Sequence, residues 1–318
     1  MNRSSVRAVV TIINLVGLAS TATSTRGDDF PREITEWVGI RGNPVFQGSG
    51  ERDWDRKIRE RGWVLVEDGT YHLFYTGYNL DKSQNRSLGH ATSKDGLNWE
   101  RDPRNPVHDA GWVEDMCVVK DDDTYRMFAE GEGDIAHQLT STDLIHWEER
   151  GPLDIRTTDG RPISPGPRGT PTVWVEDGRW WLFYERGDRG VWLARSEDEG
   201  RKVWVNVRDE PVIAMGPEPY DKHAVALNQV VKREGVYYAF YHANAHMPWK
   251  DWTTCVARSK DLIHWEKYPG NPIVENNASS GLLVDPDGDG PMEGRLFTMH
   301  PEVRVYVHPP HQGTRTPE

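Results

Sequence analysis

Short apolar runs alternate with polar turns along most of the chain, and the runs recur at a regular interval. Five aromatic cores carry the pattern: Tyr71-His72-Leu73-Phe74-Tyr75, Tyr125-Arg126-Met127-Phe128, Trp181-Leu182-Phe183-Tyr184, Tyr238-Ala239-Phe240-Tyr241 and Arg295-Leu296-Phe297-Thr298. Their phenylalanines stand at 74, 128, 183, 240 and 297, so the steps are 54, 55, 57 and 57 residues. A period of this size built from short strands marks a repeat array or propeller. Five units predict an all-β fold, a five-bladed β-propeller.

Each unit has the same internal order. A first strand runs into a turn, as in Trp63-Val64-Leu65-Val66-Glu67-Asp68-Gly69; the aromatic strand returns over residues 70–76; a third strand follows, such as Leu88-Gly89-His90-Ala91-Thr92. Then comes a Ser/Asp/Trp signature, Ser93-Lys94-Asp95-Gly96-Leu97-Asn98-Trp99, repeated as Ser141-Thr142-Asp143-Leu144-Ile145-His146-Trp147 and Ser259-Lys260-Asp261-Leu262-Ile263-His264-Trp265, with a looser copy from Ser196 to Trp204. Its Ser and Asp suit a side-chain-stabilised turn, and its Trp suits packing between blades. A short segment ends each unit: Asn105-Pro106-Val107, Gly151-Pro152-Leu153, Glu210-Pro211-Val212 and Asn271-Pro272-Ile273. The same segment, Gly42-Asn43-Pro44-Val45-Phe46, precedes the first full unit, while the fifth unit stops at residues 303–307 without a signature. An N-terminal strand is therefore expected to close the last blade, which removes an exposed sheet edge. The propeller spans residues 37–307, and residues 308–318 read as a disordered tail.

Composition narrows the function. Charged residues make up 28% of the chain and the mean hydropathy is -0.73, as expected for a soluble protein without a membrane partner. The net charge of -12 argues against nucleic acid, whose phosphates need basic patches. Fourteen Trp and eleven Tyr supply blade packing and, near a pocket, platforms for sugar rings. Residues 1–22 read as a signal peptide: Arg3 and Arg7 precede the apolar run Ala8 to Ala19, and Ser20-Thr21-Ala22 offers small residues for cleavage. Secretion or a periplasmic location is the expectation. Cys117 and Cys255 fall at different places in different units, so no disulfide is expected between them.

The strand order, the aromatic second strand and the "ATSKDGLNW" and "TSTDLIHW" phrases resemble the five-bladed glycoside hydrolases of family 43 and its relatives, families 32, 62, 117 and 130. The resemblance implies three inner-strand acids: a base in blade 1, an orienting Asp in blade 2 and an acid Glu in blade 3. Trp112-Val113-Glu114-Asp115 is similar to the family's blade 2 motif and puts Asp115 at the orienting position. The blade 1 position falls near Arg61-Gly62 and the blade 3 position near Gly169, neither of which carries a carboxylate; Asp55 and Glu60 are the nearest acids in blade 1. The chain is thus a distant member. No cofactor is required by this chemistry. The resemblance also implies that a His of the last blade touches an ion in the central channel, which makes a structural calcium there an expectation.

In such a fold the starts of first strands and the ends of the antiparallel second strands share one face. Acids, His and Arg are concentrated at both places, and glycoside cleavage needs two carboxyl groups, one protonated and one ionised. Asp55 is the candidate base or nucleophile, Asp115 the candidate with motif support, and Glu185 the candidate replacement for the missing blade 3 acid. Their structural alternatives are a loop salt bridge for Asp55, an inter-blade hydrogen bond for Asp115 and a buried ion pair for Glu185. Glu114, Glu130, Glu132 and Asp221 are further acids. Glu114, Arg168, Asp221, His223, Asn228, His242 and His300 are the candidate substrate contacts. Arg168 suits an anionic group on a sugar or the fixing of a catalytic carboxylate, and a His can serve as general acid.

Two other motifs read as structural. Residues 285–290 resemble the start of a calcium loop but place Leu296 where the bidentate acid belongs. Asn277-Ala278-Ser279 matches a glycosylation acceptor, a common pattern. The leading expectation is a glycoside hydrolase acting on a poly- or oligosaccharide, exo-acting and inverting. The alternatives are a phosphorylase like family 130 and a non-catalytic carbohydrate-binding propeller.

Overall fold

The computed structural model describes residues 30–50, 53–79, 86–285 and 294–310. The signal peptide, most of the calcium-like loop and residues 311–318 of the tail lie outside them. The described residues form five sheets, the blades of a propeller, all antiparallel save for one added parallel strand in the third. Blade 1 runs Lys57–Glu67, Thr70–Tyr78, Arg86–Ser93 and Glu100–Arg101 from its inner to its outer strand. Blade 2 repeats the order with Glu114–Asp121, Thr124–Gly131, Ile135–Ser141 and Glu148–Pro152. Blade 4 does so with Ala224–Arg233, Val236–Asn244, Thr253–Ser259 and Trp265–Lys267.

Blade 5 has three strands of its own, Ser279–Val284, Arg295–His300 and Arg304–Val307, and takes its fourth from the N-terminal side. Val38–Gly39 pairs antiparallel with that third strand, Val38 opposite Val307, and the Val45 N–H donates to the Val303 carbonyl at 2.9 Å. The expected closure is present. Asn43 fixes it by accepting from the Val305 N–H and donating to the Val305 carbonyl, both at 2.8 Å. Asn105 makes the same pair of bonds with His90, and Asn271 with Val256. The recurring Asn is therefore a clamp on the third strand of its blade.

Blade 3 departs from the repeat. To Thr172–Glu176, Arg179–Glu185, Gly190–Ser196 and Val203–Asn206 it adds Asp154–Arg156, parallel to its outer strand, and Ile213–Ala214. The Lys202 ammonium gathers the incoming chain, donating to the carbonyls of Arg150, Gly151 and Pro152 at 2.7–2.8 Å.

The core lies between blades. Phe74, Phe128, Phe183, Phe240 and Phe297 are all fully buried, and the signature Trp of each following blade packs edge-on against the preceding Phe: Trp147 on Phe74, Trp204 on Phe128 and Trp265 on Phe183. In the signature itself the Asp95 carboxylate accepts the Leu97 and Asn98 N–H groups at 2.8 Å, and Asp143 and Asp261 do the same in their turns. Those bonds hold all three carboxyls below the usual range. Cys117 and Cys255 are buried and free.

Candidate active site

The inner strands are irregular where they begin. Register shifts interrupt blade 1 between Arg59 and Trp63 and blade 2 between Glu114 and Cys117. Glu60, Asp115, Thr170 and Ser280 have φ of 58°, 47°, 42° and 61°. A positive φ is costly for non-glycine residues, most of all for the β-branched Thr170, and such distortions re-aim side chains next to sites. Here they turn the starts of four inner strands towards one cavity of ≈ 340 Å³.

Carboxyl groups dominate its wall. Glu60, Glu114 and Asp115 come from the first two inner strands; Glu130 and Glu185 end second strands; Asp134 and Asp188 stand in the turns that follow. Arg59, Arg86, Tyr78, His242 and His300 also line it, with Trp249 and Trp252 at one side. Glu114 is held by an ion pair with Arg86 and by the Tyr78 hydroxyl at 2.7 Å. Asp115 accepts the Arg61 N–H at 2.9 Å, so the inter-blade hydrogen bond and the cavity position belong to the same carboxylate.

Gly169 explains the vacant blade 3 position. A β-carbon there would lie 1.9 Å from Glu130 Oε2 and 3.0 Å from Glu185 Oε1. Two glutamates from neighbouring second strands thus fill the space a side chain at 169 would take. Glu130 accepts the Thr170 N–H at 2.7 Å, and Glu185 accepts the Gly169 and Asp188 N–H groups at 3.2 and 2.5 Å.

Burial sets the protonation pattern. It raises Glu185 to about 7, with Asp188 adding to the rise, and Asp188 itself to about 6. It raises Asp115 to about 6, reinforced by the Glu60 charge and opposed by Arg61. Glu130 is pushed well above the usual carboxyl range by burial and then by Asp115 and Glu185. Burial lowers His242 to about 3 and His300 to about 4, so both imidazoles are neutral.

This pattern makes a stability prediction. The folded state keeps a proton on Glu130 that the unfolded chain releases above the ordinary glutamate value, so wild-type stability falls as pH rises through that range. Glu130→Gln removes the penalty and keeps an acceptor for Thr170. Melting followed at two pH values is expected to show a higher melting temperature than wild type at pH 8 and little change at pH 4; an equal effect at both refutes it.

The fully buried Arg61 lies between the inner strands. Its guanidinium donates to Thr172 Oγ1 at 2.5 Å and to the Leu227, Pro171 and Asp115 carbonyls at 3.0 Å, 2.7 Å and close range. Those oxygens come from the inner strands of three other blades, so one guanidinium ties four blades together. His300 faces the cavity, with Nδ1 3.9 Å from Glu60.

The sequence candidates divide. Asp115, Glu185, Glu114, His242 and His300 line the cavity. Asn228 stands behind it, its amide 2.8 Å from His242 Nδ1, and orients that ring. Asp55 is not brought there: it is buried against Tyr75 and pairs at 2.7 Å with Arg101 on the outermost strand of blade 1. Asp221 is buried in an ion pair with Lys267 at 2.5 Å. Arg168 and His223 are absent from the lining; their backbones take part in strand and turn bonds to Asp134 and Asn244. Asp134 and Asp188 were missed as candidates. The signal was an Asp three or four residues after the Glu that ends a second strand, Glu130 to Asp134 and Glu185 to Asp188.

No family model matches the chain. It is 24% identical over 277 residues, 76% of its own length and 88% of the relative's, to a 1,2-beta-oligomannan phosphorylase from Thermoanaerobacter sp. (strain X514). Among solved structures, a glycosyl hydrolase from Bacteroides ovatus superposes with a TM-score of 0.66 at 15% identity, covering 89% of this chain and 96% of that one. A structure from the family 130 mannoside phosphorylases, a family described as containing hydrolases of β-1,2 mannosidic linkages in Candida mannan, gives 0.65 at 14% identity, covering 87% and 94%. The chain is a five-bladed β-propeller of the kind found among glycoside hydrolases and phosphorylases of families 130, 43 and 117.

Proposed function

We propose that this cavity hydrolyses a glycosidic bond in a mannoside of the β-1,2-linked kind. The observation that carries the reading is the set of buried carboxyls lining one cavity, Glu185 at about 7 and Asp115 at about 6 among them. Glu185 gives its proton to the leaving oxygen as the C1–O bond breaks. Ionised Asp115 takes a proton from the water that forms the new bond to C1. Neutral His242 and His300 and the Tyr78 hydroxyl suit sugar hydroxyls, as polar groups in such sites do. Single displacement with inversion is the expected course.

Phosphorolysis is the second reading, favoured by the activity named for the Thermoanaerobacter relative. Charge weighs against it. A phosphate dianion entering the cavity meets carboxyl groups from seven positions, while Arg86 is engaged by Glu114, Arg59 is paired at 3.0 Å with Glu60, and both imidazoles are neutral. The test is β-1,2-mannobiose with and without inorganic phosphate. Free mannose in phosphate-free buffer supports hydrolysis; mannose 1-phosphate formed only with phosphate supports the alternative; binding without cleavage supports a carbohydrate-binding propeller.

The pH profile follows from the same two groups. Activity needs Asp115 ionised and Glu185 protonated, so kcat/KM is expected to peak between about 6 and 7 and to fall on both sides. A rate that keeps rising through pH 9 rules out this pair of roles.

A further inference from the structure

A second cavity of ≈ 310 Å³ adjoins the first and shares Arg59, Trp249, Trp252 and His300 with it. The two indoles are stacked, with ring centroids 5.9 Å apart and planes 12° from parallel. Trp252 in turn meets His242 edge-on at 5.1 Å, so an aromatic ladder leads from the carboxyl-lined cavity into its neighbour. Trp249 is 46% exposed, and Met247 two residues before it is 56% exposed. Most large apolar side chains here are buried in the blades, so this exposed pair beside a polar cavity stands out.

The segment bearing them, residues 245–252 between the second and third strands of blade 4, is tied down. Asn244 donates to the Lys250 carbonyl at 2.7 Å and accepts from the His246 N–H at 2.8 Å; Asn277 accepts the Trp252 N–H at 3.1 Å. A fixed indole face offers large contact area with little rotamer freedom to lose on binding. A pyranose ring has an apolar C–H face and a hydroxyl rim. Trp249 supplies a surface for the face, and Arg59, Asp251 and Asn277 in the same cavity supply partners for the rim.

Resting on the hydrolytic reading above, we infer that this second cavity is a subsite for the next sugar ring of the substrate, with Trp249 as its stacking platform. The enzyme then acts on an oligosaccharide rather than on a lone terminal unit. Trp249 is a specificity-determining residue and takes no part in bond breaking.

The experiment compares wild type, Trp249→Ala and Trp249→Phe on β-1,2-mannotriose and on p-nitrophenyl β-mannoside. Trp249→Ala is expected to lose about tenfold more kcat/KM on the trisaccharide than on the aryl mannoside, chiefly through KM, and Trp249→Phe to recover most of it. Equal losses on the two substrates overturn the subsite. Should neither substrate be cleaved, binding of mannotriose is read by tryptophan fluorescence. Affinity about tenfold weaker in Trp249→Ala then upholds the subsite while the hydrolytic reading fails. Equal affinity, or no binding to wild type, overturns it.

Discussion

Asp115→Asn is expected to lower kcat on β-1,2-mannobiose by about 10²–10⁴-fold, the usual worth of a positioned acid or base. The substitution is chosen to be quiet structurally. Asn keeps the oxygen that accepts the Arg61 N–H at 2.9 Å, and Asn tolerates the left-handed backbone that Asp115 adopts at φ 47°. What it removes is the negative charge that takes the proton from water. The acidic limb of the pH profile, set near 6 by Asp115, should disappear along with the rate. Glu185→Gln should instead erase the limb near 7. Rates and profiles measured on the two variants, with melting temperatures as a control for folding, separate the roles. Full activity in Asp115→Asn would move the base to another wall carboxyl, Glu60 being nearest in electrostatic influence.

Arg61→Ala should produce the largest loss of stability of any single change considered. The side chain is fully buried and donates to groups on the inner strands of blades 2, 3 and 4 while belonging to blade 1. Its removal takes a charged donor from the Asp115, Pro171 and Leu227 carbonyls, and Asp115 and Glu130 lose the positive charge beside them. Breaking a buried charged network in this way costs about 3–5 kcal/mol, which urea unfolding would read as a lower midpoint. Arg61→Lys should recover little, because an ammonium cannot reach the same set of acceptors as the planar fork. A loss under about 1 kcal/mol would mean that the blades close without the guanidinium.

The resemblance-based expectations and the structure part ways at the vacant acid positions. In blade 3 the absence of a carboxylate at 169 is a packing fact: glycine is required because Glu130 and Glu185 already fill the space. In blade 1 the residue in question is Arg61, which binds the blades together, and the cavity carboxyl is its neighbour Glu60. In the sequence Asp55 and Glu60 both stand just ahead of the apolar run at residues 63–66, and Asp55 is the candidate base. Their side chains diverge because the Asp55 carboxylate is drawn to Tyr75 on the second strand and Arg101 on the outermost one, whereas the shifted register after Arg59 turns Glu60 inward.

The linear order of residues determined the blade count, the strand order, the closing of blade 5 by the N-terminal strand and the structural nature of the Ser/Asp/Trp turns. All but the closure join neighbouring segments, which a local period records directly; the closure shows as one repeat unit divided between the two ends of the chain, Val38 pairing with Val307. It also marked Asp115, Glu185, His242 and His300, because the ends of repeated strands share one face. The choice between Asp55 and Glu60, the exclusion of Asp221, Arg168 and His223 from the cavity wall, and the recruitment of Asp134, Asp188 and the Trp249–Trp252 pair were decided only by tertiary structure. Those groups come from four blades, and their meeting depends on ring closure, local register shifts and the partners that compete for each charge, none of which leaves a periodic trace along the chain.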